Sequence, residues 1–170
     1  MSGKGTKLTV AGLFAERDAG RQRDREAAEQ LQQRRNEELA QFRQRLENFQ
    51  LTDDIIKSGM DRIRRAFERG ETELMISAFP CAFCTDQGRA VLNEGAPPIN
   101  KPSKEELAAR AEEPEWLATM PAGVRKVFDF WKSDLKDGGF KFVAKIINFP
   151  DGKPGDVGLF ISWPKDTLEA

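Results

Sequence analysis

The sequence predicts an α+β protein, in which a long charged N-terminal helix precedes a compact domain with a small antiparallel sheet of about three strands packed by helices. The chain of 170 residues is long enough for one domain with its own core. Residues 15–50 are rich in Arg, Glu, Gln and Ala, which favour helix. Two β-rich runs, 140–149 and 157–163, flank a loop rich in Gly and Pro, which predicts a C-terminal β-hairpin.

The chain is predicted to divide into a lead, a helix and a domain. Residues 1–14 contain three glycines among small and basic residues, and we expect them to form a flexible lead. Residues 15–50 form the charged amphipathic helix, and residues 51–170 form the α+β domain. Within that domain, residues 95–102 contain three prolines, which exclude a helix or a central strand and predict a connector.

Two further amphipathic helices are predicted in the domain. Thr52 provides an N-cap for the first helix, and Gly70 ends it. Its inner face is expected to carry four apolar residues at helical spacing, namely Ile56, Met60, Ile63 and Phe67. Pro121 fits the first turn of the second helix. One face of that helix carries Val124, Val127, Phe128, Trp131 and Leu135.

The third predicted strand covers residues 73–79, an apolar run that Pro80 ends. We expect this strand to lie beside the C-terminal hairpin, with helices on one face of the resulting sheet. The sequence leaves the order of the three strands open.

The composition excludes several kinds of chemistry. The chain has no histidine, so no imidazole can act as a general base or a metal ligand. Its net charge of -1 gives no overall field to attract nucleic acid or an anionic membrane. We therefore expect no cofactor, no metal site, and neither nucleic acid nor a membrane as partner. The first residues lack the apolar segment of a secretory signal, and the expected location is cytoplasmic.

Cys81 and Cys84 form a Cys-x-x-Cys pair between a predicted strand and a short helix that Thr85 is expected to cap. Over about fifteen residues, this order resembles the active-site region of the thioredoxin family. The resemblance implies a nucleophilic thiol at Cys81 and a resolving thiol at Cys84. In that family further strands and a proline loop surround the pair, whereas here a proline-rich segment follows. The alternative is a pair of buried structural thiols.

Three arginines of the first domain helix, Arg62, Arg65 and Arg69, fall at spacings of three and four residues, opposite the apolar face. Such a cluster could bind phosphate, which makes a nucleic-acid accessory protein one alternative function. Acidic residues lie on the same helix, and a charged outer face is also the ordinary surface of an amphipathic helix. Both interpretations stay open.

The hairpin loop, residues 150–156, contains Asp151, Lys153 and Asp156. The two carboxylates could offer oxygen ligands to a hard cation, and a rigid loop can carry recognition. The spacing matches neither an EF-hand nor a phosphate-binding loop. The prolines and glycines also suit a simple turn. The loop is therefore a candidate binding loop without an assigned ligand.

The strongest functional indication is an apolar seam at the end of the N-terminal helix. It consists of Leu39, Phe42, Leu46 and Phe49, at spacings of three and four residues, as in an amphipathic helix or a short coiled coil. The seam could cover the domain's own sheet, or form an interface with a second copy or a different protein. We therefore expect a non-enzymatic protein–protein interaction or assembly module, with a thiol–disulfide redox protein as a further alternative.

Overall fold

The computed structural model describes residues 7–94, 103–105, 108 and 113–166. It confirms the α+β class, because the described part of the chain combines helices with a three-stranded antiparallel sheet. The helices with described bounds are α1 (Val10–Glu47), α2 (Asp53–Glu68), α3 (Arg89–Glu94) and α4 (Ala122–Phe130), and the strands are β1 (Glu73–Pro80), β2 (Lys141–Ile146) and β3 (Asp156–Ser162). The predicted connector at 95–102 lies outside the described residues.

The chain divides into two compact units, Met1–Phe42 and Arg43–Ala170. The boundary falls inside α1, so the last turn of that helix belongs to the second unit together with the sheet. None of the helices in the described ranges has the length and apolar composition needed to cross a bilayer.

The sheet has the order β1-β3-β2, so β3 is its central strand. Both pairings are antiparallel, and β2 and β3 form the predicted C-terminal hairpin. Every residue from Val157 to Ile161 is buried, which shows that both faces of the central strand are covered. The alternation of β3 places Val157, Leu159 and Ile161 on one face of the sheet, which we call the inner face.

A β-bulge interrupts the pairing of β1 with β3. Met75 lies opposite Phe160 and Ser77 lies opposite Leu159, which leaves Ile76 as the extra residue. The guanidinium of Arg62 donates a hydrogen bond of 3.2 Å to the carbonyl oxygen of Met75. This bond supplies a partner at the position where the ladder is disrupted, and it ties α2 to the bulge.

The core of the second unit lies between the inner face of the sheet and α4. Past Phe130, the helix continues as a π-helical turn over Trp131–Leu135. The rings of Trp116, Phe128 and Trp131 surround Phe142 of β2, with centroid distances of 5.7, 5.8 and 6.0 Å. Ring pairs at such distances add specific stabilisation to the apolar area that they bury.

The ends of α2 follow the prediction. Thr52 is the N-cap, and its hydroxyl accepts a hydrogen bond of 3.3 Å from the backbone N–H of Ile55. Gly70 follows the helix with a φ of 81°, a left-handed conformation that glycine adopts without strain.

The inner face of α2 is less buried than the sequence predicts. Ile56, Met60 and Ile63 are only half-buried, and Phe67 is 62% exposed. Ala66 is fully buried in its place. Neighbouring residues on a helix point about 100° apart, so a contact made through the small Ala66 turns Phe67 towards solvent.

Helix α1 begins earlier than the predicted helix. The hydroxyl of Thr9 accepts a hydrogen bond of 2.9 Å from the backbone N–H of Gly12, which caps the first turn at Val10. Residues 10–14 of the predicted lead are therefore helical, and residues 1–6 lie outside the described part of the chain. Over its 38 residues, α1 has no buried residue.

Candidate functional sites

Cys81 begins a short 3₁₀ turn, Cys81–Phe83, directly after β1, and Cys84 is the residue that follows this turn. Both thiols are free and buried, with exposed fractions of 4% for Cys81 and 2% for Cys84. The backbone N–H of Cys81 donates to the carbonyl oxygen of Gly155 at 2.9 Å. The sulfur of Cys84 lies 3.8 Å from the sulfur of Met120. These contacts hold the pair in the core.

The helix after the pair starts too late to activate it. Helix α3 begins only at Arg89, and Asp86 rather than Thr85 caps it, since its carboxylate accepts from the backbone N–H groups of Gly88 and Ala90 at 3.0 and 2.8 Å. Gln87 and Gly88 have positive φ, so the chain turns sharply there instead of entering a helix. In a thioredoxin-like arrangement, the N–H groups at the start of the helix would be free to stabilise a thiolate. Here the carboxylate of Asp86 accepts hydrogen bonds from those N–H groups instead.

The electrostatics of the pair oppose a reactive thiolate. Burial raises the pKa of the Cys81 thiol, and the negative charges of Asp156 and Asp86 raise it further. Burial also raises the pKa of Cys84 to about 11, with additional contributions from Cys81 and Asp86. A redox nucleophile needs a lowered pKa and access to solvent. The geometry therefore favours the structural interpretation of both cysteines.

The three arginines of the predicted anion face have different surroundings in the structure. Arg62 is directed to the bulge through its bond to Met75. Arg69 forms an ion pair of 3.1 Å with Glu71, and this carboxylate raises the pKa of the guanidinium. Arg65 is exposed on α2. Arg62 is thus engaged at the bulge of β1, and Arg69 is paired with an acidic residue just past the end of α2.

The predicted binding loop is closed by side-chain hydrogen bonds. Asn148 donates from its amide nitrogen to the carboxylate of Asp156 at 2.8 Å, and its amide oxygen accepts from the Asp156 backbone N–H at 2.9 Å. Asp151 and Lys153 are exposed, and Asp151 has a φ of 52°. Within the described ranges, no group of three or more Cys, Asp or Glu side chains could hold a metal ion. The loop is therefore built as a rigid turn.

The apolar seam of α1 is divided between the two compact units. Leu46 and Phe49 belong to the second unit, where the chain passes close to α4 at Gly123. A Cβ built on Gly123 would lie 2.7 Å from the Cβ of Phe49 and would overlap the carbonyl oxygen of Leu46. The close approach therefore requires glycine at this position. Phe42 is half-buried, and Leu39 in the first unit is 43% exposed.

Two hydrogen bonds fix the same segment. The carboxylate of Glu47 accepts from the backbone N–H of Ala122 at 3.0 Å, which satisfies a donor at the N-terminus of α4. The ammonium of Lys126 donates to the carbonyl oxygen of Phe49 at 2.8 Å. The rear half of the predicted seam thus packs on the chain's own domain, which is one of the two alternatives that the sequence left open.

The second compact unit contains an apolar pocket of about 410 Å³ between α2, the inner face of the sheet and α4, which we call the α2 pocket. Its volume lies within the range of roughly 300–1,000 Å³ typical of small-molecule sites. Ile55 and Arg62 are exposed at its rim, so the pocket opens to solvent. The walls carry Leu46, Phe49, Leu51, Ile56, Met60, Ile63, Ile76, Val124, Val127, Phe130, Trp131, Leu135, Leu159 and Ile161.

Gly59 explains why space remains under α2. It lies in the middle of the helix, among the residues that line the pocket, and a Cβ built on it would meet no atom within 4 Å. A glycine inside a helix costs roughly 0.5–1 kcal/mol relative to alanine. Glycine at this position therefore lowers the stability of α2 and leaves an open volume between Ile56 and Ile63.

The sequence and the fold were also compared with known proteins. The chain matches no protein family, no curated protein and no solved structure. The local resemblance to the thioredoxin family is thus not accompanied by a family match. Any function of this chain has to be argued from its own residues.

The α2 pocket was not predicted from the sequence, although one signal was present. Ile56, Met60 and Ile63 mark an inner helix face, and Gly59 lies on that same face. A glycine at a core-facing helical position indicates a close approach or an empty volume, and only the structure distinguishes the two. At Gly123 it is a close approach, and at Gly59 it is an empty volume.

Proposed function

We propose that the protein is a non-enzymatic assembly module that contacts another protein chain through α1. The observation that carries the proposal is that α1 is a 38-residue helix with no buried residue. In water, most helical stability in proteins comes from the packing of an apolar face, since propensity alone gives little. A partner that covers α1 would supply this packing.

The apolar residues of α1 support a one-sided contact. On an ideal helix, all the large apolar residues of its first-unit part fall within an arc of about 100°. We call this set the α1 stripe, and it consists of Val10, Leu13, Phe14, Leu31, Leu39 and Phe42. Leu13, Phe14, Leu31 and Leu39 are between 43% and 50% exposed. The stripe presents a narrow apolar line of the kind that pairs with another helix.

Arginines interrupt the α1 stripe and define its charge. On the same wheel, three arginines (Arg17, Arg21 and Arg35) and one acid (Asp24) fall within the arc of the stripe. The guanidinium of Arg17 lies 4.7 Å from the centre of the Phe14 ring, a cation–π contact. The stripe therefore consists of two apolar clusters, residues 10–14 and 31–42, separated by a charged stretch, and its arc carries a net positive charge. Such a surface favours a partner helix with apolar residues and acidic neighbours.

The other two functions have weaker support. A thiol–disulfide enzyme would need an accessible thiolate, whereas Cys81 and Cys84 are buried and their pKa values are raised. A nucleic-acid accessory protein would need a continuous basic face, whereas Arg69 is paired with Glu71. Protein contact through α1 requires neither condition.

The proposal is tested by changing the stripe and the opposite face of α1 with the same change in charge. Leu31→Glu with Leu39→Glu places two carboxylates on the stripe, and Gln33→Glu with Gln41→Glu places two on the opposite face. In sedimentation velocity, we expect the wild type and the Gln33/Gln41 variant to gain mass with concentration and the Leu31/Leu39 variant to stay monomeric. Equal behaviour of all three proteins would count against a second copy as the partner.

A different partner is tested by photo-crosslinking in the native cell. A photoreactive amino acid at position 31 should give adducts of defined mass, whereas the same group at position 33 should not. If neither position yields an adduct and the purified protein is monomeric throughout, α1 has no protein partner on this face and the proposal is refuted.

A further inference from the structure

The α2 pocket shares no residue with the α1 stripe, because all the residues that line it belong to the second compact unit. We infer that it binds the alkyl chain of an aliphatic monocarboxylate, with the carboxylate at Arg62. This ligand class follows from three features of the pocket, namely its size, its walls and the position of its charged groups. The inference does not depend on the assembly proposed above.

The size of the pocket favours a slender ligand. An α-helix with side chains is about 10 Å across and rises 5.4 Å per turn, so a single turn takes up roughly 400 Å³. The pocket of about 410 Å³ would be filled by one such turn. A partner helix would therefore have to displace α2, whereas an alkyl chain fits beneath it.

The walls of the pocket match an alkyl chain. Aliphatic side chains from α2, β1, β3 and α4 line it, together with the rings of Phe130 and Trp131. The pocket is open to solvent at its rim, where Ile55 is 42% exposed. An alkyl chain that enters it leaves water for an apolar environment and gains free energy in proportion to the apolar area buried.

The charged groups orient the ligand. Arg62 is exposed at the rim, and among the described residues its one hydrogen bond or ion pair is the bond to the Met75 carbonyl. A guanidinium has five N–H donors, so it can bind a carboxylate while it keeps that bond. Asp54 also lines the pocket, but eight residues earlier on α2, about 12 Å away along the helix. The carboxylate is therefore directed to the Arg62 end.

Gly59 gives the volume that the alkyl chain would occupy. Because a Cβ at this position meets no atom within 4 Å, a larger side chain can grow into the pocket without displacing the backbone. The substitution Gly59→Leu should fill the site with the chain's own atoms. Gly20 provides a matched control, since it also lies inside a helix with no atom within 4 Å of a built Cβ, but outside the pocket.

The experiment measures the binding of laurate to the full chain below its critical micelle concentration, by calorimetry and by tryptophan fluorescence. Trp131 lines the pocket, so its emission should change on binding, and Trp131→Phe should remove that change while heat is still released. Lauramide has the same chain without the charge. We expect it to bind about five- to ten-fold more weakly than laurate, because it forms no charge-assisted hydrogen bond with Arg62.

Two pairs of variants separate the pocket from other surfaces. Gly59→Leu should abolish laurate binding with an unchanged circular dichroism spectrum, whereas Gly20→Leu should bind as the wild type does. Arg62→Gln should weaken laurate binding about five- to ten-fold more than lauramide binding, since only the anion loses a charged partner while both ligands experience any change at the Met75 carbonyl. Arg64→Gln removes the same charge from α2 outside the pocket and should bind like the wild type.

Three results would overturn the inference. The first is no laurate binding by the wild type, and the second is equal binding by Gly59→Leu and the wild type, which would place the ligand elsewhere. The third is a response of Trp131 only to vesicles of anionic phospholipid, which would identify a membrane contact. Since the mass of the protein is recorded in the same samples, failure of laurate binding is distinguishable from failure of α1 assembly.

Discussion

The same substitution, glycine to alanine, should have opposite effects on the stability of two helices in the second compact unit. Gly59 in α2 borders an empty volume, and a Cβ there meets no atom within 4 Å. Gly123 in α4 supports the end of α1, and a Cβ there would lie 2.7 Å from the Cβ of Phe49. Together, Gly59→Ala and Gly123→Ala test whether the end of α1 and the segment after it contact α4 as the structure shows.

The magnitudes follow from the local geometry. Gly59→Ala should stabilise the protein by about 0.5–1 kcal/mol, because alanine loses less conformational entropy in a helix. Gly123→Ala also gains part of this entropic stabilisation, but the added methyl group is overpacked against Phe49 and Leu46, which costs about 1–3 kcal/mol. If the segment moves away, the bonds from Ala122 to Glu47 and from Lys126 to Phe49 are also lost, each worth about 1 kcal/mol. The two variants should therefore differ by about 2–3 kcal/mol.

The assay is equilibrium unfolding in urea, followed by tryptophan fluorescence. We expect a higher midpoint for Gly59→Ala and a lower one for Gly123→Ala, with similar slopes. Hydrogen exchange should show that residues 43–49 lose protection in Gly123→Ala alone. Equal stabilisation by both substitutions would refute the contact between α1's last turn and α4.

Four further predictions concern the hairpin and the cysteines. Asn148→Ala should destabilise the protein by about 1–2 kcal/mol and speed hydrogen exchange at the Asp156 amide, because both bonds that close the loop are lost. Asp151→Gly should leave stability unchanged or raise it by up to about 1 kcal/mol in urea unfolding, since φ is 52° there. Iodoacetamide should alkylate neither cysteine in the folded protein at neutral pH, and labelling at the unfolded rate would contradict their burial. Burial raises the pKa of Cys84 to about 11, from roughly 8.5 in the unfolded chain. The stabilising contribution of the protonated thiol is therefore complete below about pH 8.5 and is lost as the pH rises towards 11. We expect the urea midpoint of the wild type to fall over this pH range, and that of Cys84→Ala to fall less.

The sequence predicted those parts of the fold that depend on local chemistry. Thr52 and Gly70 mark the ends of α2 because capping and left-handed turns are properties of single residues. The hairpin was predicted from two β-rich runs and the loop between them. The strand order β1-β3-β2 was left open, since it depends on which strands meet after the helices have packed.

The candidate sites were harder to predict from the sequence than the fold, because they depend on contacts between residues that are distant in the chain. Arg62 was predicted to belong to a charged outer face, yet its guanidinium binds the Met75 carbonyl at a bulge that no local pattern reveals. Asp86 replaces Thr85 as the cap of α3 because Gln87 and Gly88 take positive φ and delay the helix. The α2 pocket exists because Gly59 faces the sheet across a gap, which only the packing of α2 on β1 determines.

The position of β3 in the sheet has a consequence for synthesis on the ribosome. β3 is the partner of both β1 and β2, and it follows both of them in the chain. Until residues 156–162 emerge, neither earlier strand has a neighbour, and the apolar side chains of β1 and β2 are exposed. Pairings between residues far apart in sequence also form slowly. During synthesis there is therefore an interval in which α1 has already left the ribosome while the sheet is incomplete. Unpaired strands are prone to aggregate at this stage, and chaperones protect them.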